Sequence, residues 1–144
     1  MIEIAFFDPR DYDEVIALWS QTEGLTLRDV DSREAIARYL ERNPSLSFVA
    51  RDRGRLVGTV LAGTDGRRGY LQHLAVTPSH RGQGLGRALA ERAVTALGAL
   101  GIEKCHLMVR QENAPARAFW QRLGWSERGD IIVMSHAEPD AANA

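Results

Sequence analysis

Cysteine is almost missing from this chain: Cys105 is the only one among 144 residues. No intrachain disulfide can form and no cysteine-based zinc site is available, so a reducing cytoplasm is the expected setting and no metal is expected. An excess of charge of one sign is missing too. Eighteen Lys and Arg stand against 19 Asp and Glu, a formal net charge of -1. That balance argues against a surface built to neutralise nucleic-acid phosphates, although local patches such as Arg67-Arg68 remain. No stretch nears the ~18 consecutive apolar residues of a membrane span. The N-terminus has no basic region ahead of a long apolar run, so neither an anchor nor a signal peptide is expected. Repeats, linkers and low-complexity segments are also absent. What is present is an ordinary globular balance, 44% hydrophobic and 26% charged, in a length that suits one core. The expected domain covers 1–138, with a flexible tail over 139–144.

Apolar periodicity places the elements. Ile2 to Phe7 reads as a strand. Asp11 to Thr22 puts Tyr12, Val15, Ile16 and Trp19 on one helical face and ends at Gly24. Ser32 suits the N-cap of a second helix through Arg42, which Asn43-Pro44 stops. The period then falls to two. Ser47–Arg51, Arg55–Thr64 and Tyr70–Val76 form an antiparallel meander through the turns Asp52-Arg53-Gly54 and Asp65-Gly66. A long helix follows over Gly84 to Leu100, with Leu85, Leu89, Ala93, Ala96 and Leu100 as its apolar stripe. A strand over Glu103–Val109, a helix capped by Asn113 and a last strand over Ile131–Ser135 complete the order βααβββαβαβ. That order predicts an α+β fold, a mixed sheet with helices on both faces.

The chemically informative stretch runs from Leu74 to Leu89. A strand ends at Val76 and Pro78 turns the chain. Gly82, Gly84 and Gly86 then open a helix, where backbone N–H groups can approach a ligand without a β-carbon in the way. A helix N-terminus has unpaired N–H donors and the positive end of a dipole, so this is an anion site suited to a pyrophosphate. Arg81 and Arg87 add positive charge. The dinucleotide fingerprint fails here, because the third glycine comes one residue early. The P-loop fails because Gly-Lys-Ser/Thr is absent.

Arg81-Gly82-Gln83-Gly84-Leu85-Gly86 resembles the Arg/Gln-x-x-Gly-x-Gly/Ala signature of the Gcn5-related N-acetyltransferases. The preceding Leu74-Ala75-Val76-Thr77-Pro78 is similar to that family's fourth strand and turn. Glu112 to Trp125, with Asn113, Ala116, Phe119, Trp120 and Gly124, resembles its Asn-x-x-Ala-x-x-Phe-Tyr-x-x-x-Gly-Phe segment. The likeness covers nearly the whole chain. It implies a mostly antiparallel sheet of six to seven strands in which strands four and five splay apart, and acetyl-CoA as cosubstrate. It also implies that the backbone of Arg81, Gly82, Gln83, Gly84, Leu85 and Gly86 holds the pyrophosphate beside Arg87. Leu74, Ala75 and Val76 would pair with the pantetheine arm as an added strand does. Asn113 matches the asparagine on the pantetheine side and is at the same time a helix N-cap.

The implied reaction moves the acetyl group to an amine, on a small molecule or a peptide, by direct attack within a ternary complex. A backbone N–H near Leu74–Val76 would stabilise the oxyanion. Two family positions depart. Trp120 stands where the usual acid is tyrosine, and an indole N–H only donates a hydrogen bond. Trp120 therefore lines the sulfur end of the site or serves as a core aromatic. Tyr70 stands where many members place a glutamate base. Gln72 shares its strand face and can orient a water. His73 suits proton transfer but should point to the opposite face unless a bulge re-aims it. Glu23, Asp29 and Asp31 can attract a cationic acceptor. An acyl-CoA-binding module without turnover is the alternative. The short link between Trp125 and Ile131 predicts an open acceptor groove, or a wall borrowed from a second subunit; monomer and homodimer both remain open.

Overall fold

The computed structural model describes every residue of the chain except Ala142. Its elements are β1 (Ile2–Phe6), α1 (Tyr12–Ser20), α2 (Arg33–Arg42), β2 (Phe48–Asp52), β3 (Arg55–Thr64), β4 (Gly69–Val76), α3 (Leu85–Ala99), β5 (Cys105–His106) and α4 (Ala114–Arg122). The five strands form one sheet in the order β1-β2-β3-β4-β5. Every pairing is antiparallel except β4 with β5.

Local chemistry explains the turns and caps. The β2–β3 hairpin closes on Arg53 and Gly54 with φ of 52° and 82°, the paired positive values that match the strand twist. Ser32 caps α2, its Oγ accepting from the Ala35 N–H at 3.2 Å. Asn113 caps α4 in the same way, through Oδ1 and the Ala116 N–H at 3.2 Å.

The sheet is covered on both faces. One face carries α3, whose Leu85, Leu89, Ala93 and Leu97 pack on Phe48, Val57, Val60 and Ala62. The other carries α1 and α2, whose Val15, Trp19 and Ile36 pack on Val49, Leu61 and Ala75. The central strand β3 is therefore buried on both sides from Leu56 to Gly63. Leu89 is fully enclosed, which contributes ~2 kcal/mol by apolar burial. No helix among the described residues is long and apolar enough to cross a membrane.

Three expectations need correction. The sheet has five strands, where six to seven were implied. The strand expected over Glu103–Val109 contracts to Cys105–His106, and no strand forms over Ile131–Ser135. The reason is that a strand exists through its partners. β5 pairs with β4 only at Gly69–Cys105 and Tyr70–His106, so its continuation has no ladder to extend. Ile131, Ile132, Val133 and Met134 have the side chains of a strand, yet they stand exposed with nothing to pair against. The shortness of β5 is also what opens the sheet. β4 runs on to Val76 without a neighbour on that side, so strands four and five splay as expected.

Candidate functional site

The glycine loop lies where β4 ends and α3 begins. Gly82 and Gly84 adopt φ of 76° and 82°, values that a β-carbon penalises. Beyond the adjoining stretch of chain, no protein atom lies within 4 Å of where a β-carbon would stand on either residue. The loop is thus shaped by these two glycines and open on its outer side. Gly84 is the N-cap of the 15-residue α3 and has no side chain to pair the first N–H groups. Those donors and the helix dipole face the opening together. Gly86 has a different role. A β-carbon there would stand 3.1 Å from Phe119 Cζ, so this glycine lets α4 approach α3.

The loop is braced from behind. Arg81 Nε donates to the Val76 carbonyl at 2.9 Å, which leaves its terminal nitrogens beside the loop. His80 Nε2 meets Asp52 Oδ2 at 2.8 Å, and the N-terminal ammonium meets Asp52 Oδ1 at 3.2 Å. The His80 hydrogen bond and the ammonium hold the Asp52 carboxyl below its ordinary pKa. His80 is therefore an anchor of the turn. Gln83 folds back to the Ser79 carbonyl and does not border the cavity in front of the loop.

In front of the loop is a cavity of about 820 Å³. Leu74, Ala75, Val76, Arg81, Gly82, Gly84, Leu85, Gly86, Arg87, Asn113 and Trp120 all border it. Arg110 and Arg122 add charge to its wall. A second cavity of about 370 Å³ adjoins it and shares Thr22, Glu23, Gly24, Leu74, Arg110, Asn113, Ala116 and Trp120. The two make one groove along the splay. Among the described residues, none beyond Leu123 lines either part, in keeping with the open groove expected from the short link.

Trp120 stands at the groove wall and in an aromatic cluster at once. It borders both cavities and also packs edge-on to Phe119 and Trp125, with 5.1 Å between ring centroids in each case. Asn113 likewise has two ends. Oδ1 caps α4, while Nδ2 faces Gly24 across the groove.

Tyr70, Gln72 and His73 all line the second cavity. For His73 this is the work of a bulge. The β3–β4 register slips between Thr59 and Leu61, and His73 has φ of 50°, so strand alternation breaks there. Thr59, fully buried, accepts from Trp19 Nε1 at 2.8 Å and donates to the His73 carbonyl at 3.0 Å. The imidazole packs edge-on against Trp19, centroids 4.6 Å apart. Its Nε2 meets Asp31 Oδ1 at 2.8 Å. Glu23 lines the groove; Asp29 and Asp31 do not. Cys105 is outside both cavities, and burial raises its thiol pKa.

Sequence reading missed the groove residues Thr22, Gly24, Arg110, Phe119 and Arg122. Phe119 belongs to the segment matched above but was given no role there, and the other four occupy no named position of a short motif. Only Gly24, just after α1, and the aromatic pair Phe119-Trp120 hinted at them.

The family model described as "Acetyltransferase (GNAT) family" matches residues 12–125. An acetyltransferase of Pectobacterium atrosepticum is 38% identical over 133 residues, covering 92% of this chain and 93% of its own length. An acetyltransferase of Yersinia pestis is 35% identical over 132 residues, with the same coverage of 92% and 93%. Among solved structures, PaiA N-acetyltransferase from Thermoplasma acidophilum, in complex with coenzyme A, superposes with a TM-score of 0.76 at 20% identity, over 85% of this chain and 87% of that one. The ribosomal-protein-S18-alanine N-acetyltransferase of Escherichia coli gives a TM-score of 0.73 at 25% identity, over 89% and 79% of the two chains.

Proposed function

The chain belongs to the acetyltransferase (GNAT) family and is an acyltransferase, and from that premise we propose that it moves the acetyl group of acetyl-CoA to a primary amine by direct attack within a ternary complex. The observation that carries this reading is the open cradle of Gly82 and Gly84 at the N-terminus of α3, leading straight into the β4–β5 splay. The cradle suits a pyrophosphate: its donors are unpaired, its outer side is free of protein atoms, and Arg81, Arg87 and Arg122 border it.

Each part of the groove then has a task. Gly82 to Gly86 and Arg81 hold the diphosphate by backbone donors and charge. Thr77 N donates to the Val57 carbonyl on β3, so alternation turns the Val76 N–H away from β3 and toward the splay. An extended pantetheine arm can pair there as an added strand. Asn113 Nδ2, free of the cap, is a donor to the same arm. A free β4 N–H in the Leu74–Val76 stretch meets the charge that develops on the thioester oxygen, an interaction that is worth ~3 kcal/mol in comparable sites. The coenzyme supplies the activated acetyl group, and its thiolate leaves readily, so the tryptophan at position 120 is no obstacle to turnover.

The test is calorimetric titration with acetyl-CoA of the native protein and of an Arg81→Ala/Gly84→Glu double variant. Thiol release with putrescine and with an Ala-starting peptide follows. Binding that the double variant loses, together with thiol release, supports transfer. Binding without thiol release from any amine supports a sensing module.

A further inference from the structure

The reaction proposed above needs a group to take the proton of the attacking amine, and the position of the family's usual glutamate holds Tyr70. The second cavity contains another candidate. His73 is thrown out of strand alternation by the bulge and lines this cavity. Nε2 is 2.8 Å from Asp31 Oδ1. Among the described residues nothing bonds Nδ1, and the residue borders the second cavity. Asp31 is only 5% exposed and is fixed by three contacts that involve a side chain. Its Oδ2 accepts from the Arg28 N–H at 3.0 Å, and its carbonyl accepts from Tyr12 Oη at 2.6 Å. The third contact is His73 itself. Trp19 braces the ring, and Thr59 holds the strained His73 backbone through its carbonyl.

We propose that His73 is the general base of the transfer, acting through Nδ1, and that Asp31 is its positioning residue. The inference rests on the acetyltransferase reading. A buried carboxylate that accepts from one ring nitrogen fixes the tautomer. The opposite nitrogen then carries the lone pair and faces the acceptor. As the amine attacks, its nitrogen forms a bond to the acetyl carbon and passes a proton to Nδ1. The carbon–sulfur bond breaks and the electron pair leaves with the thiolate. The imidazolium, stabilised by Asp31, then returns its proton to the thiolate or to water. Five ionisable groups share the surroundings: Glu23 after α1, Tyr70 on β4, His106 on β5, Arg110 beyond β5, and Tyr12 behind Asp31.

A positive φ is tolerated by asparagine and glycine, so His73→Asn and His73→Gly keep the bulge. The experiment measures acetyl-CoA affinity by calorimetry and the pH dependence of kcat, using whichever of putrescine and the Ala-starting peptide is turned over. For His73→Asn the expected result is unchanged acetyl-CoA affinity, a kcat lower by ~100-fold or more, and loss of the acid limb of the pH–rate profile. In His73→Gly, added imidazoles restore turnover, and the more basic ones restore more. Asp31→Asn lowers kcat at unchanged KM for acetyl-CoA, because the ring has lost the carboxylate that fixes its tautomer and orientation. Native-like kcat and acid limb in His73→Asn overturn this proposal alone. Native protein that binds no acetyl-CoA, or acetylates neither acceptor, overturns the transfer reading and this proposal with it.

Discussion

Gly24 and Asn113 face each other across the groove so closely that a β-carbon on the glycine would stand 2.8 Å from the Asn113 amide nitrogen. One residue follows α1 and the other opens α4. Their approach brings the loop before α2 and the N-terminus of α4 together at one point of the groove, shared by both cavities. Gly24 also has φ of 79°. Gly24→Ala therefore meets both a clash and backbone strain. The expected cost is ~1 kcal/mol in urea unfolding, with weaker acetyl-CoA binding in calorimetry. Unchanged affinity would mean that Asn113 Nδ2 has no part in the site.

The two ends of Asn113 can be separated by substitution. Asn113→Asp keeps an oxygen for the Ala116 N–H and replaces the amide donor. Asn113→Ala removes both. The aspartate variant is expected to keep its stability and to lose acetyl-CoA affinity. The alanine variant loses affinity and also ~1 kcal/mol of stability. Thermal melts beside calorimetry read the two effects separately.

Gly84 and Gly86 are expected to fail in different ways. Gly84→Ala strains a residue whose φ is 82°, at ~1–2 kcal/mol, and puts a methyl group into the open cradle. Gly86→Ala is comfortable in its own helix but presses on Phe119, 3.1 Å away. The first variant should lose pyrophosphate contacts, read as equal weakening toward acetyl-CoA and free CoA. The second should lower Tm by displacing α4.

Thr59 is a buried hinge between Trp19 and His73. Thr59→Val keeps the volume but leaves both Trp19 Nε1 and the His73 carbonyl without their partner. Orphaned buried polar groups cost ~1–3 kcal/mol, so chemical unfolding should show a loss of that size. Turnover should fall as well, because the bulge relaxes, while acetyl-CoA affinity stays as it was.

Acid should destabilise the fold in a predictable window. Glu14 is held below its ordinary pKa, first by its hydrogen bond from Arg51. Asp52 is held down first by its bond from His80 and then by the N-terminal ammonium. Both folded values are depressed. Their stabilisation is present above the unfolded carboxylate range of ~4 and is lost as pH falls through the folded values. These pairs are exposed, so each contributes little. Melts between pH 7 and pH 3 should show Tm falling below pH ~4.5, and Glu14→Gln should flatten that fall.

Much of the architecture was legible. Trp19, Leu89 and the β3 run sit where apolar period places them, and Ser32 and Asn113 cap as their chemistry suggests. The missing last strand shows where such reading ends. Ile131 to Met134 have strand propensity, but propensity cannot supply a neighbour. His73 shows the same limit from the other side. Alternation counted along the strand left its face to whether a bulge would re-aim it, and a bulge is a property of two strands and not of one.

By itself the sequence determined the glycine loop and its helix, the order of elements as far as α4 and the two capping residues. These depend on neighbours within a few positions, where backbone sterics and local hydrogen bonds decide. Only the tertiary structure decided that β5 would stop after two residues and open a groove, that Gly24 would meet Asn113, and that Asp31 would stand against His73. Those outcomes depend on groups tens of residues apart in the chain. They are settled by the packing of α1 and the loop before α2 on one face of a bulged sheet.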